Sequence, residues 1–138
     1  MDKNTPITGQ CYCGNIKYNS TGDILKKGIC YCRDCQRLTG GNALPFIVVL
    51  SDTLHIQGSV KEFSRLGISG NPVHMAFCEQ CGSRLFGRFG AWPNIRTISA
   101  SSLDDSSQFS PDVQIWTQDA PKWTQFIQGI PQFERNTS

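Results

Sequence analysis

Apolar and polar residues alternate with a period of two along several short stretches of this chain, separated by segments rich in glycine, proline, serine and asparagine. Such alternation predicts strands, because successive side chains of a strand point to opposite faces. Asn15-Ile16-Lys17-Tyr18-Asn19 reads as one strand, and residues 24–29 as a partner that pairs back across the Ser20-Thr21-Gly22-Asp23 turn. Residues 43–50 form the most apolar run, rich in β-branched side chains, and predict a buried strand with Pro45 near its start. Residues 54–63, interrupted by Gly58, predict a hairpin or a bulged strand. Residues 73–77 and 83–89 predict two strands, and residues 95–100 a third after a Trp92-Pro93-Asn94 turn. Residues 113–117 predict the last strand. A helical turn fits residues 33–38, ended by Gly40-Gly41, and residues 121–127 suit a short helix or 3₁₀ turn. The pattern as a whole predicts a mainly β fold of antiparallel hairpins and sheets with few, short helical turns. It fits a single domain over residues 1–138, with a core of about residues 8–134.

Charge and apolar content narrow the function classes. A net charge of +2, with its basic residues scattered, gives no strong field for nucleic acid or an anionic membrane. The start of the chain has no apolar signal-like segment, and the longest apolar run is far too short to span a bilayer. A soluble, cytoplasmic protein is expected.

Cysteine changes the picture most. Seven cysteines fall in three stretches: Cys11-Tyr12-Cys13-Gly14, Cys30-Tyr31-Cys32-Arg33-Asp34-Cys35 and Cys78-Glu79-Gln80-Cys81-Gly82. An odd number rules out a complete disulfide framework and favours metal ligation. Spacing alone permits a ribbon-like set of Cys32, Cys35, Cys78 and Cys81, but that division leaves Cys11, Cys13 and Cys30 without a common role. Gly14 and Gly82, each following the last cysteine of a pair, favour another division, because glycine eases the backbone turn behind a metal-binding knuckle. On that reading Cys11, Cys13, Cys78 and Cys81 form a closed, structural zinc site, in which the metal replaces an ordinary hairpin turn. Cys30, Cys32 and Cys35 then form an open, catalytic zinc site with one position left for water, a substrate thiol or a further side chain.

His55 and His74 are candidates to close the three-cysteine site, although their apolar-patterned strands favour hydrogen-bonded structural roles. Arg33 and Arg37 lie beside it in sequence, where they either meet a substrate carboxylate or form a solvated face. Asp104 and Asp105 read as turn residues. The tryptophans Trp92, Trp116 and Trp123 and most phenylalanines read as core or pocket wall.

The three cysteine stretches, with Gly9 before the first, Gln36 and Gly40 after the second, Phe77 before the third, Ser102-Leu103-Asp104-Asp105 and the closing Ile115-Trp116, Trp123 and Ile130-Pro131-Gln132-Phe133-Glu134, resemble the glutathione-dependent formaldehyde-activating (GFA) family, also called the CENP-V/GFA domain. The resemblance spans nearly the whole chain. It implies a mainly antiparallel β fold, zinc on the same four and the same three cysteines, and glutathione as co-substrate. The implied reaction condenses glutathione with formaldehyde to S-hydroxymethylglutathione, a carbon–sulfur lyase activity with a small-molecule thiol and aldehyde as partners. The alternative is a noncatalytic zinc module that binds a thiol ligand, a protein or nucleic acid.

Overall fold

A computed structural model describes residues 6–137; the polar start of the chain, residues 1–5, lies outside them. Its strands are β1 (Ile7–Gln10), β2 (Lys17–Ser20), β3 (Lys26–Cys30), β4 (Leu44–Leu50), β5 (Leu54–Gln57), β6 (Val60–Leu66), β7 (Pro72–Cys78), β8 (Arg84–Phe89), β9 (Trp92–Ser99) and β10 (Val113–Ile115). The helix α1 (Arg33–Thr39) lies between β3 and β4. A small sheet has the order β1-β2-β5, and a large one the order β10-β3-β4-β9-β8-β7-β6. The fold is thus mainly β, and every strand pair is antiparallel except β10 with β3.

The alternation along β4 shows how the layers stack. Ile47 and Val49 face a core shared with Ile7, Ile16, Tyr18 and Leu54 of the small sheet. Leu44, Phe46 and Val48 face the opposite side, in a second cluster with Cys30, Val113 and Ile115. Phe86 and Ile98, on neighbouring strands, also enter the first core with no exposed surface. Burying side chains of this size stabilises the fold by roughly 1.5–3 kcal/mol each. The second face is closed by α1 and the C-terminal segment. Gln36 is buried there, and its Nε2 donates to the carbonyls of Tyr31 at 2.8 Å and Asp119 at 3.0 Å.

Several sequence expectations need correction. β2 and β3 do not form a hairpin: β2 pairs with β1 and β5, and the chain crosses to the large sheet before β3 begins. β5 and β6 likewise belong to different sheets, with Gly58 at φ +99° between them. Trp92, Pro93 and Asn94 open β9 rather than forming a turn. They run past the register with β4, which begins at Ile95, so Pro93 deprives no partner of a hydrogen bond there. Residues 121–127 contain no helix, and the 3₁₀ turn lies earlier, at Thr117–Asp119. Trp92 and Trp123 are exposed, not core. The helical turn, by contrast, stands where expected and ends at Gly40 in the left-handed conformation, φ 74°.

Candidate functional site

Both knuckle regions end hairpins. Cys11 and Ile16 close the β1–β2 turn by a backbone hydrogen bond of 3.0 Å, and Cys78 and Ser83 close the β7–β8 turn in the same way. Gly14 at φ +81° and Gly82 at φ +78° turn the chain back, each donating its N–H to the first cysteine carbonyl of its pair. The two turns meet. The sulfurs of Cys11, Cys13, Cys78 and Cys81 all lie within 4.8 Å of one another. Cys11 and Cys13 sulfurs are 3.6 Å apart, and Cys13 and Cys78 sulfurs 3.7 Å. Four sulfurs about 2.3 Å from a zinc define a tetrahedron with edges of about 3.8 Å, so the donor set and its dimensions fit such an ion. The N–H of Ile16 donates to Cys11 Sγ at 3.2 Å, and the Ser83 hydroxyl, 3.2 Å from Cys81 Sγ, leads in drawing that thiol down to about 5.

The second group sits on the other face of the large sheet. Cys30 ends β3, Cys32 caps α1 and Cys35 lies in its first turn, so strand end and helix start bring three sulfurs within 4.8 Å of one another. The environment divides them sharply. Hydrogen bonds from the Cys30 and Cys35 thiols, with the Cys35 N–H at 3.4 Å, overcome burial and hold Cys32 down at about 3. The Cys32 sulfur in turn pushes Cys30 up to about 12, while Cys30 and then Cys32 drive Cys35 above the ordinary thiol range. A divalent metal that replaces the thiol protons suits this donor set.

The expected neighbours fare less evenly. Neither histidine joins either sulfur group among the described residues. His55 is exposed on β5, and His74 Nδ1 is paired with the Ser64 hydroxyl at 2.6 Å. Arg33 and Arg37 are exposed on α1; the Arg33 guanidinium is engaged by Gln36 Oε1, and Asp34 pairs with Arg65 of β6 at 3.4 Å. Asp105 caps its turn through the Ser107 N–H, whereas Asp104 accepts from the Thr8 hydroxyl at 2.8 Å.

Sequence reasoning missed Arg84, at the start of β8. Its Nη1 donates to Ser99 Oγ at 2.9 Å, its charge is weakened by burial, and the Cys35 and Cys30 sulfurs oppose that weakening. Nothing local in Ser83-Arg84-Leu85 marks this residue, because the register of β8 on β9 and β4 creates the proximity. A cleft of about 460 Å³ opens beside it, lined by Cys11 and Tyr12 of the four-cysteine turn, by Ser83, Arg84 and Ser99, and by none of Cys30, Cys32 and Cys35.

A mainly β protein with two groups of clustered thiols, one next to a cleft, is a thiol-rich protein able to hold metal. The family model described as glutathione-dependent formaldehyde-activating enzyme matches residues 6–119, and the chain belongs to this family. A Halomonas elongata protein provisionally named glutathione-dependent formaldehyde-activating enzyme is 26% identical over 128 residues, covering 86% of this chain and 80% of that protein. The crystal structure of a Rhodobacter sphaeroides protein superposes with a TM-score of 0.59 at 15% identity, covering 91% of this chain and 98% of the other, and shows the same fold. No helix among the described residues is long and apolar enough to cross a membrane.

Proposed function

We propose that this chain is a zinc-dependent enzyme that joins a small thiol, glutathione in the first instance, to an aldehyde such as formaldehyde. The reaction is of the carbon–sulfur lyase type and forms an S-hydroxymethyl adduct. The observation that carries this reading is the group Cys30, Cys32 and Cys35, three sulfurs within 4.8 Å at a strand–helix junction. A zinc ion held by these three would offer a fourth position to the substrate thiol and lower its pKa. Cys11, Cys13, Cys78 and Cys81 would fill all four positions of a second zinc and serve the fold.

In the addition the thiol sulfur forms a bond to the carbonyl carbon, the carbonyl π pair moves to oxygen, and the proton lost by sulfur ends there. Atoms and charges balance with no further reactant. The chain supplies a fixed three-sulfur frame: Gln36 ties α1 to Tyr31 and Asp119, and Cys30 is anchored by the pairing of β3 with β4 and β10. Seven cysteines without a disulfide support a reducing, cytoplasmic setting. The partners are small molecules.

Adduct formation is followed by NMR exchange spectroscopy, because hemithioacetals also form spontaneously. Cys32→Ser is expected to fall to the uncatalysed rate while retaining the circular dichroism of the native protein and the metal of the four-cysteine site. A native rate in Cys32→Ser with that metal still bound would overturn the proposal.

A further inference from the structure

Arg84 lies on the same face as the three-cysteine group. In β4, Phe46 and Val48 face that side, and their register partners on β9 are Ser99 and Thr97. Thr97 pairs in turn with Gly87 of β8, which places Gly87 on the same face. Gly87 leaves this floor bare: an added Cβ would stand 2.6 Å from Thr97 Oγ1 and 2.9 Å from Arg84 Nη2. The guanidinium therefore lies back over Gly87, with Nη1 fixed on Ser99 Oγ. Its Nε is shielded from solvent and has no hydrogen-bond partner, and the same is true of Thr97 Oγ1.

The same strand shows what such an edge binds. Arg88 Nε and Nη2 grip the two oxygens of Glu62 at 2.7 and 2.8 Å, a bidentate fork. Arg84 has its Nη1 on a hydroxyl and its Nε unused. Among the described residues no carboxylate forms an ion pair with it. A buried donor without a partner costs about 1–3 kcal/mol, a cost that a ligand oxygen would relieve.

We infer that Arg84, seated over Gly87 beside Thr97 and Ser99, is a carboxylate subsite that selects thiols bearing a carboxylate. It rests on the reading of Cys30, Cys32 and Cys35 as the place where the substrate sulfur binds. Across the sheet β3 and β8 are separated by β4 and β9, so their backbones lie roughly 14 Å apart at about 4.8 Å per step. The Arg84 side chain reaches back over part of that gap to Ser99. A flexible thiol with a carboxylate several bonds from sulfur fits the remainder.

Binding to the zinc-loaded protein is measured by calorimetry for N-acetylcysteine and N-acetylcysteine amide, and for glutathione and its glycine ethyl ester. S-methylglutathione, whose sulfur carries no proton, completes the set. Wild type is expected to favour N-acetylcysteine over its amide by about 10- to 100-fold, the equivalent of one charge-assisted contact. Arg84→Gln abolishes that preference and leaves the amide's affinity unchanged, and Arg84→Lys retains only part of the preference because it lacks the fork. The glycine ester separates the two carboxylates of glutathione: an Arg84-dependent loss assigns the glycine carboxylate, and Arg84-dependent binding of the intact ester assigns the γ-glutamyl one. Cobalt(II) titration, read by its thiolate charge-transfer band, reports on the sulfur group itself. If Arg84→Gln weakens cobalt and amide binding as much as carboxylate binding, Arg84 serves the sulfurs and the subsite is refuted. Equal affinity of wild type for acid and amide also refutes it, even with thiol chemistry intact. Arg84-dependent binding of S-methylglutathione would uphold the subsite even if no thiol reaction were found.

Discussion

Replacing Gln114 by methionine removes a buried polar hub while nearly conserving side-chain volume, so the effect isolates hydrogen bonding from cavity formation. Gln114 has no exposed surface. Its Oε1 accepts from the Tyr31 hydroxyl and the Ile127 N–H, both at 2.9 Å, and its Nε2 donates to the carbonyls of Ile127 at 3.0 Å and Ile130 at 3.1 Å. At about 1 kcal/mol net per hydrogen bond, the loss comes to about 4 kcal/mol. It would be larger if all the abandoned groups stayed buried, but residues 127–130 can leave the surface and hydrate, so the free energy of docking that segment sets the ceiling. The assay is urea unfolding of the metal-loaded protein, with hydrogen exchange at the Ile127 amide. The expected result is a loss of about 3–4 kcal/mol, or a smaller global loss with exchange protection at Ile127 abolished. A loss below about 1 kcal/mol with protection retained would refute the assignment of Gln114 as the anchor of the C-terminal segment. That segment lies beyond residues 6–119, which the family model matches, so its attachment is tested here directly.

Cys11→Ser removes a sulfur from the four-cysteine group and is expected to cost several kcal/mol; a chelator should lower the thermal midpoint of wild type but barely change the variant, as differential scanning calorimetry would show. Burial chiefly, with the nearby Asp104 charge, raises Tyr18 from 10.0 to about 12 against the hydrogen bond it shares with Ser102. The unfolded chain ionises first, so this contribution is fully present below about pH 10 and is lost as pH rises toward 12, a change on the order of 2–3 kcal/mol. Unfolding of wild type and Tyr18→Phe between about pH 9 and 11.5 should give a falling curve for wild type and a flatter one for the variant; parallel curves would exclude Tyr18 as the cause.

The elements next to the cysteines were legible in the sequence because local chemistry decides them. The apolar-rich runs at residues 73–77 and 83–89, entering and leaving a cysteine pair, mark β7 and β8, glycine marks the left-handed positions after the pairs, and Gly40 stops α1. Sheet membership was not legible. The turn residues 20–23 look like a hairpin, yet Ser20 pairs with Leu54, and no local pattern says that a strand's partner lies 34 positions away. Pro93 suggested a turn, but β9 extends past β4 there and the missing N–H costs nothing. Arg84 was invisible for the same reason: its meaning comes from Ser99 and Gly87, which reach it only through the register of three strands. The division of sulfurs into four and three was legible from spacing and glycines, and the structure gathers the same two sets. Their metal ligation is still a proposal.

The two sulfur groups differ in what they ask of the chain, and that difference bears on which one is free for chemistry. Cys13 and Cys78 are 65 positions apart and join the small sheet to the large one, so a metal there closes a long loop and stabilises tertiary structure. Cys30, Cys32 and Cys35 fall within six residues, on a strand end and helix start already fixed by β4, β10 and Gln36. A metal there closes almost no loop. Its binding energy is therefore not needed to hold the fold, and the site can exchange a ligand without risking the structure. The longer closure also offers four sulfurs, whereas the short one offers three. Local closure and an incomplete donor set thus coincide in one group, on the face that also carries Arg84.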